Sequence, residues 1–319
     1  MLRTILTKGT LRTCALGIVA ALLLSACGND EDAPGSAAGP TVVATTTQVA
    51  DLAANVAGER ADVVGILAAN ADPHDYEPKP SDVEALADAG LVIQSGGDLD
   101  LWLDELVESS GSDAPRLALI DSVATIGGDD EDEEADPHWW QDPTNAIAAT
   151  EAILAALIEA DPDGSAEYEG SAEDYVDRLD RLDRQIASCI ERVPVADRKL
   201  VTSHDALGYF ADRYGVEIVG STIPALSTQA QPSAGETAEL VDLIEQQGVH
   251  AVFPEVGVST ALEQAIADET GASVGAELYA DALGPEGSVG ETYVGAMAAN
   301  ASALVDGFSG GAVSCEIDA

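Results

Sequence analysis

Basic residues are scarce in this chain: 13 Lys and Arg stand against 58 Asp and Glu in 319 residues, a formal net charge of −45. That scarcity excludes nucleic acid as a partner, because gripping a phosphate backbone takes clustered cations. A surface this acidic raises the local concentration of cations instead. Cysteine is rare too, four in all with no CxxC pair, which removes thiolate zinc knuckles and dithiol redox motifs. There is no HExxH helix or phosphate loop, and no internal repeat of fixed period, so solenoids and propellers are out. Apolar runs stop short of the ~20 residues that span a bilayer. What is present is 46% apolar residues, enough for a substantial core, and a length that fits about two domains.

Residues 1–26 are organised differently from the rest. Arg3, Lys8 and Arg12 precede an apolar stretch from Cys14 through Leu24, closed by Leu24-Ser25-Ala26-Cys27. This is the layout of a secretory signal, and the closing tetrapeptide resembles the lipobox of bacterial lipoproteins. Cys27 is then the lipidated first residue, holding the protein outside the cytoplasm on a cell membrane by its acyl chains. Residues 27–40, rich in Gly, Pro and Ala, form the tether. Losing the signal removes three basic residues and no acids, leaving 10 against 58, or −48. Cys189 and Cys315 remain as the only thiols of the folded body, and a pair outside the cell suggests one disulfide.

From Thr41 short apolar runs alternate with helical stretches: TVVATTT, ADVVGIL, LVIQSG and RLALIDS as strands, LAANVAGE, PSDVEALADAG and LDLWLDELVES as helices. Ser81 with Glu84 predicts a capping box opening the second helix. Residues 41–162 therefore read as an N-terminal α/β lobe. Residues 163–193 form one long linking helix, with Tyr168, Tyr175, Leu179, Leu182, Ile186 and Ile190 at helical intervals. Residues 194–319 repeat the αβ rhythm as a C-terminal lobe. The predicted fold is two Rossmann-like lobes with parallel sheets joined by a rigid helix, with the site in the cleft between them, where ligands gather beyond the carboxyl ends of strands.

Of only four histidines, three stand in loops after predicted strands or beside a turn: His74 in ADPHDYEPKPSD, His138 in ADPHWWQDPTNA and His204 in KLVTSHDALGYF. Their spacings of 64 and 66 residues demand assembly by folding. Asp281, in ELYADALGPEGS, is the fourth candidate, giving two ligands to each lip of the cleft. Three nitrogens and one carboxylate match the tetrahedral preference of Zn2+, whereas manganese and magnesium favour oxygen donors and higher coordination. His250 sits at a helix-to-strand turn on the opposite edge and is expected to face solvent.

The chain resembles the metal-specific solute-binding lipoproteins of ABC transporters, the zinc and manganese uptake family, over nearly its whole mature length. PHDYEPKPSD, DPHWWQDPTNA, TSHDALGYFADRYGV and LYADALGPEG are similar to that family's four ligand loops. The resemblance implies a carrier that passes its ion to a cognate permease and ATPase, and the chain is expected to act as a monomer. In that family the third ligand is typically glutamate in manganese-type and histidine in zinc-type members, so His204 implies the zinc branch, with the manganese branch as the alternative. The fourth ligand there is commonly an aspartate or a water.

Glu255, in VFPEVGVS, is expected near the same cleft, as a carboxylate supporting a ligand or as an alternative ligand. The acidic run 129–136, seven acids in eight residues, suits weak metal capture, contact with a zinc chaperone, or plain solvation. Trp102 reads as core; Trp139 and Trp140 shield the cleft or pack between lobes. The competing function is a zinc hydrolase with three histidines and an open position for water. Asp281 decides between them, since a fourth protein ligand closes that position. A continuous linking helix also resists wide hinge closure, so release is expected to involve loops near His138 and in segment 222–235.

Overall fold

The computed structural model describes residues 39–127 and 135–318. The signal sequence, Cys27, most of the tether and acidic residues 129–134 lie outside the described residues. Four parallel strands, β1 (Thr41–Ala44), β2 (Asp62–Gly65), β3 (Leu91–Gln94) and β4 (Arg116–Ala118), form the first sheet in the order β2-β1-β3-β4. Helices α1 (Thr47–Ala57), α2 (Pro80–Ala87) and α3 (Leu103–Ser110) fill the crossovers. The second half has β5 (Lys199–His204), β6 (Glu217–Ile223), β7 (Ala251–Val252) and β8 (Ser273–Val274), with α6 (Gly208–Tyr214), α7 (Ala234–Gln247) and α8 (Ala261–Thr270) between them. Here β5 pairs with β6 and β7 with β8, and a single parallel bridge, Thr202 to Phe253, joins the two pairs. The resulting order, β6-β5-β7-β8, repeats that of the first half.

Helix α4 (Pro143–Ala160), which the sequence reading folds into the first lobe without singling out, is capped by Asp142, whose carboxylate accepts the Thr144 N–H at 2.8 Å. Next comes α5 (Ser165–Ile190), the predicted linking helix, and α9 (Tyr293–Phe308) closes the chain. The apolar residues expected on one face of α5 are all buried. One correction concerns α2: it starts at Pro80, so Lys79 is the capping position. The Asp82 carboxylate there accepts the Lys79 N–H at 2.7 Å. Proline at the first helical position needs no partner for its nitrogen, which moves the start one residue ahead of Ser81.

Alternation along the strands divides the core. Val43 and Val92 face outward to Leu86 and Leu103 of α2 and α3; Val201 faces Leu240, Ile244 and Ile266 of α7 and α8. Their neighbours Val42, Ile93 and Leu200 face inward. That inner side is one continuous apolar cluster, running from the first sheet through Leu179, Leu182 and Ile186 of α5 to Phe253 and Leu304 of the second half. Cys189 and Cys315 form a disulfide, tying the end of α5 to the C-terminal tail with Cα atoms 5.9 Å apart. Among the described residues no helix is long and apolar enough to cross a membrane.

Candidate metal centre

Every site residue lies at or beyond the carboxyl end of a strand. In the first half the same tripeptide, Asp-Pro-His, builds both histidine loops. Asp72 caps a 3-10 turn, Pro73–Asp75, and accepts the His74 N–H at 2.8 Å. Asp136 does the same for His138 at 2.9 Å, and the same oxygen meets His138 Nδ1 at 2.7 Å. His204 is the last residue of β5. Glu255 holds it twice, accepting its N–H at 3.0 Å and contacting Nδ1 at 2.5 Å. With Nδ1 engaged, each of these two rings turns Nε2 inward.

Asp281 is held from both sides of the chain. Asn300 of α9 clamps the backbone of Tyr279 through both its N–H and its carbonyl, at 2.8 and 2.9 Å. Trp140 Nε1 and Gln141 Nε2, from the first half, each donate to the Ala280 carbonyl at 2.9 Å. Asp281 is thereby aimed at three imidazoles. Its carboxylate oxygens lie 3.4 Å from His74 Nε2, 3.4 Å from His138 Nε2 and 3.1 Å from His204 Nε2. The ligand atoms of the four residues all fall within 4.8 Å of one another.

All three Nε2 atoms and both Asp281 oxygens are buried without a hydrogen-bond partner. Leaving so many polar atoms unpaired away from water is costly, unless a cation completes them. A tetrahedron with bonds of ~2.1 Å has edges of about 3.4 Å, close to the Asp281-to-imidazole separations. The electrostatics are equally one-sided. Burial would push the His204 imidazole down and the Asp281 carboxyl up. The Asp281 and Glu255 carboxylates nevertheless raise His204 well above the ordinary imidazole range, and His204 and His138 hold Asp281 well below the carboxylate range.

The sequence profile of a family described as ZnuA, zinc-uptake complex component A, periplasmic, matches residues 42–307. The chain belongs to the ZnuA family. Among curated relatives, the manganese-binding lipoprotein MntA of Halalkalibacterium halodurans is 33% identical over 293 residues, covering 92% of this chain and 96% of the relative. The iron-binding protein YfeA of Yersinia pestis is 30% identical over 303 residues, covering 93% and 96%. Among solved structures, the periplasmic zinc-binding protein TroA of Treponema pallidum superposes with a TM-score of 0.78 at 28% identity, covering 85% of this chain and 99% of that one. The parallel α/β architecture with its long helix is therefore that of the ZnuA family, whose members are solute-binding proteins.

This ZnuA-family chain brings together all four side chains singled out in its sequence, and places Glu255 against His204. His250 stands apart: it is exposed, its Nδ1 within 2.8 Å of the Phe308 carbonyl. Trp139 and Trp140 are both buried; Trp139 donates to Ser95 Oγ at 3.1 Å, and Trp140 joins the two halves through Ala280. Trp102 is only partly buried and packs against Tyr76, the rings tilted by 55° with centroids 4.6 Å apart. The sequence reading missed Asp136, Gln141 and Asn300. For Asp136 a signal existed: an Asp precedes the ligand histidine by two positions in both DPH loops.

Proposed function

We propose that this chain is the cation-capturing component of an ABC importer. It is anchored through Cys27 outside the cytoplasm and passes a divalent transition metal to its permease and ATPase. The observation that carries this reading is the convergence of three buried imidazole nitrogens and one carboxylate, none of them hydrogen-bonded. His74, His138, His204 and Asp281 serve as ligands, and Glu255 and Asp136 orient two of the rings. Asp281 takes the position that a hydrolytic water would need. In domain terms, a tether (27–40) precedes an N-terminal lobe (41–162), the linking helix (163–193) and a C-terminal lobe (194–319). The protein works as a monomer, and acidic residues 129–136 supply solvation or a landing point for a zinc-donating protein.

Manganese is the cargo favoured by the names of the relatives, the first of which is a manganese-binding lipoprotein. Zinc is the second reading, favoured by the three-nitrogen donor set and by the zinc-binding neighbour TroA. Affinity in the test tube does not choose between them, because such a site holds Zn2+ more tightly than Mn2+ whatever its cargo. The test has two parts. Titration of the mature chain should show one equivalent of either ion bound, weakening as the pH falls and protons compete for the imidazoles; no binding of either ion refutes the reading. In cells lacking the gene and starved of metal, rescue by manganese supports the first cargo and rescue by zinc the second.

A further inference from the structure

The three imidazoles are not equally secured. His138 and His204 are fully enclosed, with 0% side-chain exposure, and each has a carboxylate on Nδ1 as well as on its backbone N–H. His74 retains 7% exposure, and its carboxylate, Asp72, reaches only the backbone N–H. The second Asp72 oxygen is taken by the other half of the molecule: Thr228 Oγ1 donates to it at 2.5 Å. Gln229 Nε2 donates to the His74 carbonyl and lies 3.3 Å from Asp75 Oδ1.

Thr228 and Gln229 belong to the connection between β6 and α7. That segment is anchored beside His204, where the Asp205 N–H donates to the Ala225 carbonyl at 3.0 Å. One loop therefore runs from the strand end that carries His204 across to the turn that carries His74. On its outer side His74 borders a cavity of about 400 Å³, also lined by Tyr76, Trp102, Pro137, Leu226 and Ser227. The same loop thus forms one wall of the space into which His74 opens.

We infer that His74 is the ligand that lets the cation go, and that Thr228, acting through Asp72, and Gln229, acting on the His74 carbonyl, are the positioning residues that keep it in place. This inference rests on the cluster being a metal site. When the loop lifts, His74 loses both supports and turns toward the cavity, while His138, His204 and Asp281 retain theirs. Release then needs only a local displacement, consistent with a core that runs unbroken through α5.

The test loads the mature chain with Zn2+ and follows transfer of the ion to an excess of a chromophoric chelator. Thr228→Val should accelerate release about tenfold, the effect of losing one hydrogen bond to a charged group. Gln229→Ala, at an exposed position, should accelerate it less. The metal-free chain holds the same hydrogen bond, so its melting temperature should fall by only a few degrees, and Ser233→Ala, which removes the hydroxyl that accepts the Glu236 N–H at the start of α7, should leave the rate alone. In a His74→Ala background, Thr228→Val should no longer alter release. A rate within twofold of the unaltered chain, or equal acceleration in the presence and absence of His74, overturns the inference while leaving the metal site standing. Failure of the unaltered chain to take up Zn2+ overturns the site itself.

Discussion

The two halves share a strand order but not a manner of building. The first sheet is a continuous ladder of four strands. The second is two pairs joined by one bridge, with β7 and β8 only two residues each. Ligand support differs in the same sense. In the first half an aspartate two residues away holds the histidine, whereas in the second Glu255 reaches His204 across 51 residues of sequence. Local turns can therefore specify two of the proposed ligands, and the other two depend on the finished fold. Asp281 is the extreme case, since its neighbour Ala280 is gripped by Trp140 and Gln141 from 140 and 139 residues away.

The largest effect should come from the ligand that most depends on assembly. Asp281→Ala leaves three imidazoles without their carboxylate and should weaken metal binding by about 5 kcal/mol, the upper range for stripping the partner from a buried charge; competition titration measures it. Retained tight binding would show that the imidazoles suffice. Next comes the staple on the second half: Cys189→Ser with Cys315→Ser opens a link across 126 residues. By chain entropy that should cost about 5 kcal/mol of unfolding free energy in denaturant, with little change in metal affinity.

A direct comparison of the two support styles is Glu255→Gln against Asp136→Asn. Each should lower affinity about 10–100-fold, and Glu255→Gln should cost more because nothing local replaces its hold on His204. Equal losses would erase the distinction between the halves. The smallest effect lies where α1 meets α9. Asp51 accepts from Tyr175 Oη and the Tyr293 N–H, both at 3.2 Å, and loss of hydration raises its carboxyl to about 6. A raised folded-state value favours the protonated form, so stability should decline as the pH rises from about 4 to 6, by on the order of 2 kcal/mol. Asp51→Asn should flatten that slope in melts across the same range.

Much of this was legible because the relevant residues are few. With four histidines in the chain, three beside turn-forming Pro or Asp, the candidates nearly select themselves, and the βα alternation locates β1, β3 and β5 through their apolar runs. Less legible were features set by tertiary context. HAVFPE and ASVGAEL read as full strands, yet only two residues of each pair regularly, and beyond an interruption the pairing resumes as a single bridge between Glu255 and Leu278. NAIAATEAILAALIEA is apolar on most sides and lacks the sharp stripe that marks a surface helix, and in α4 seven of the 18 residues are buried. Gln141 and Asn300 carry no local signature at all, since their partners are backbone groups brought up by folding.

The apolar interior that threads α5 without interruption has a mechanical corollary. On the proposed reading, a body with no seam to open should keep nearly the same outline whether loaded or bare. A membrane partner that distinguishes the two must then sense the relief around the mouth, where a threonine hydroxyl crosses from one side to the other, rather than the distance between two jaws.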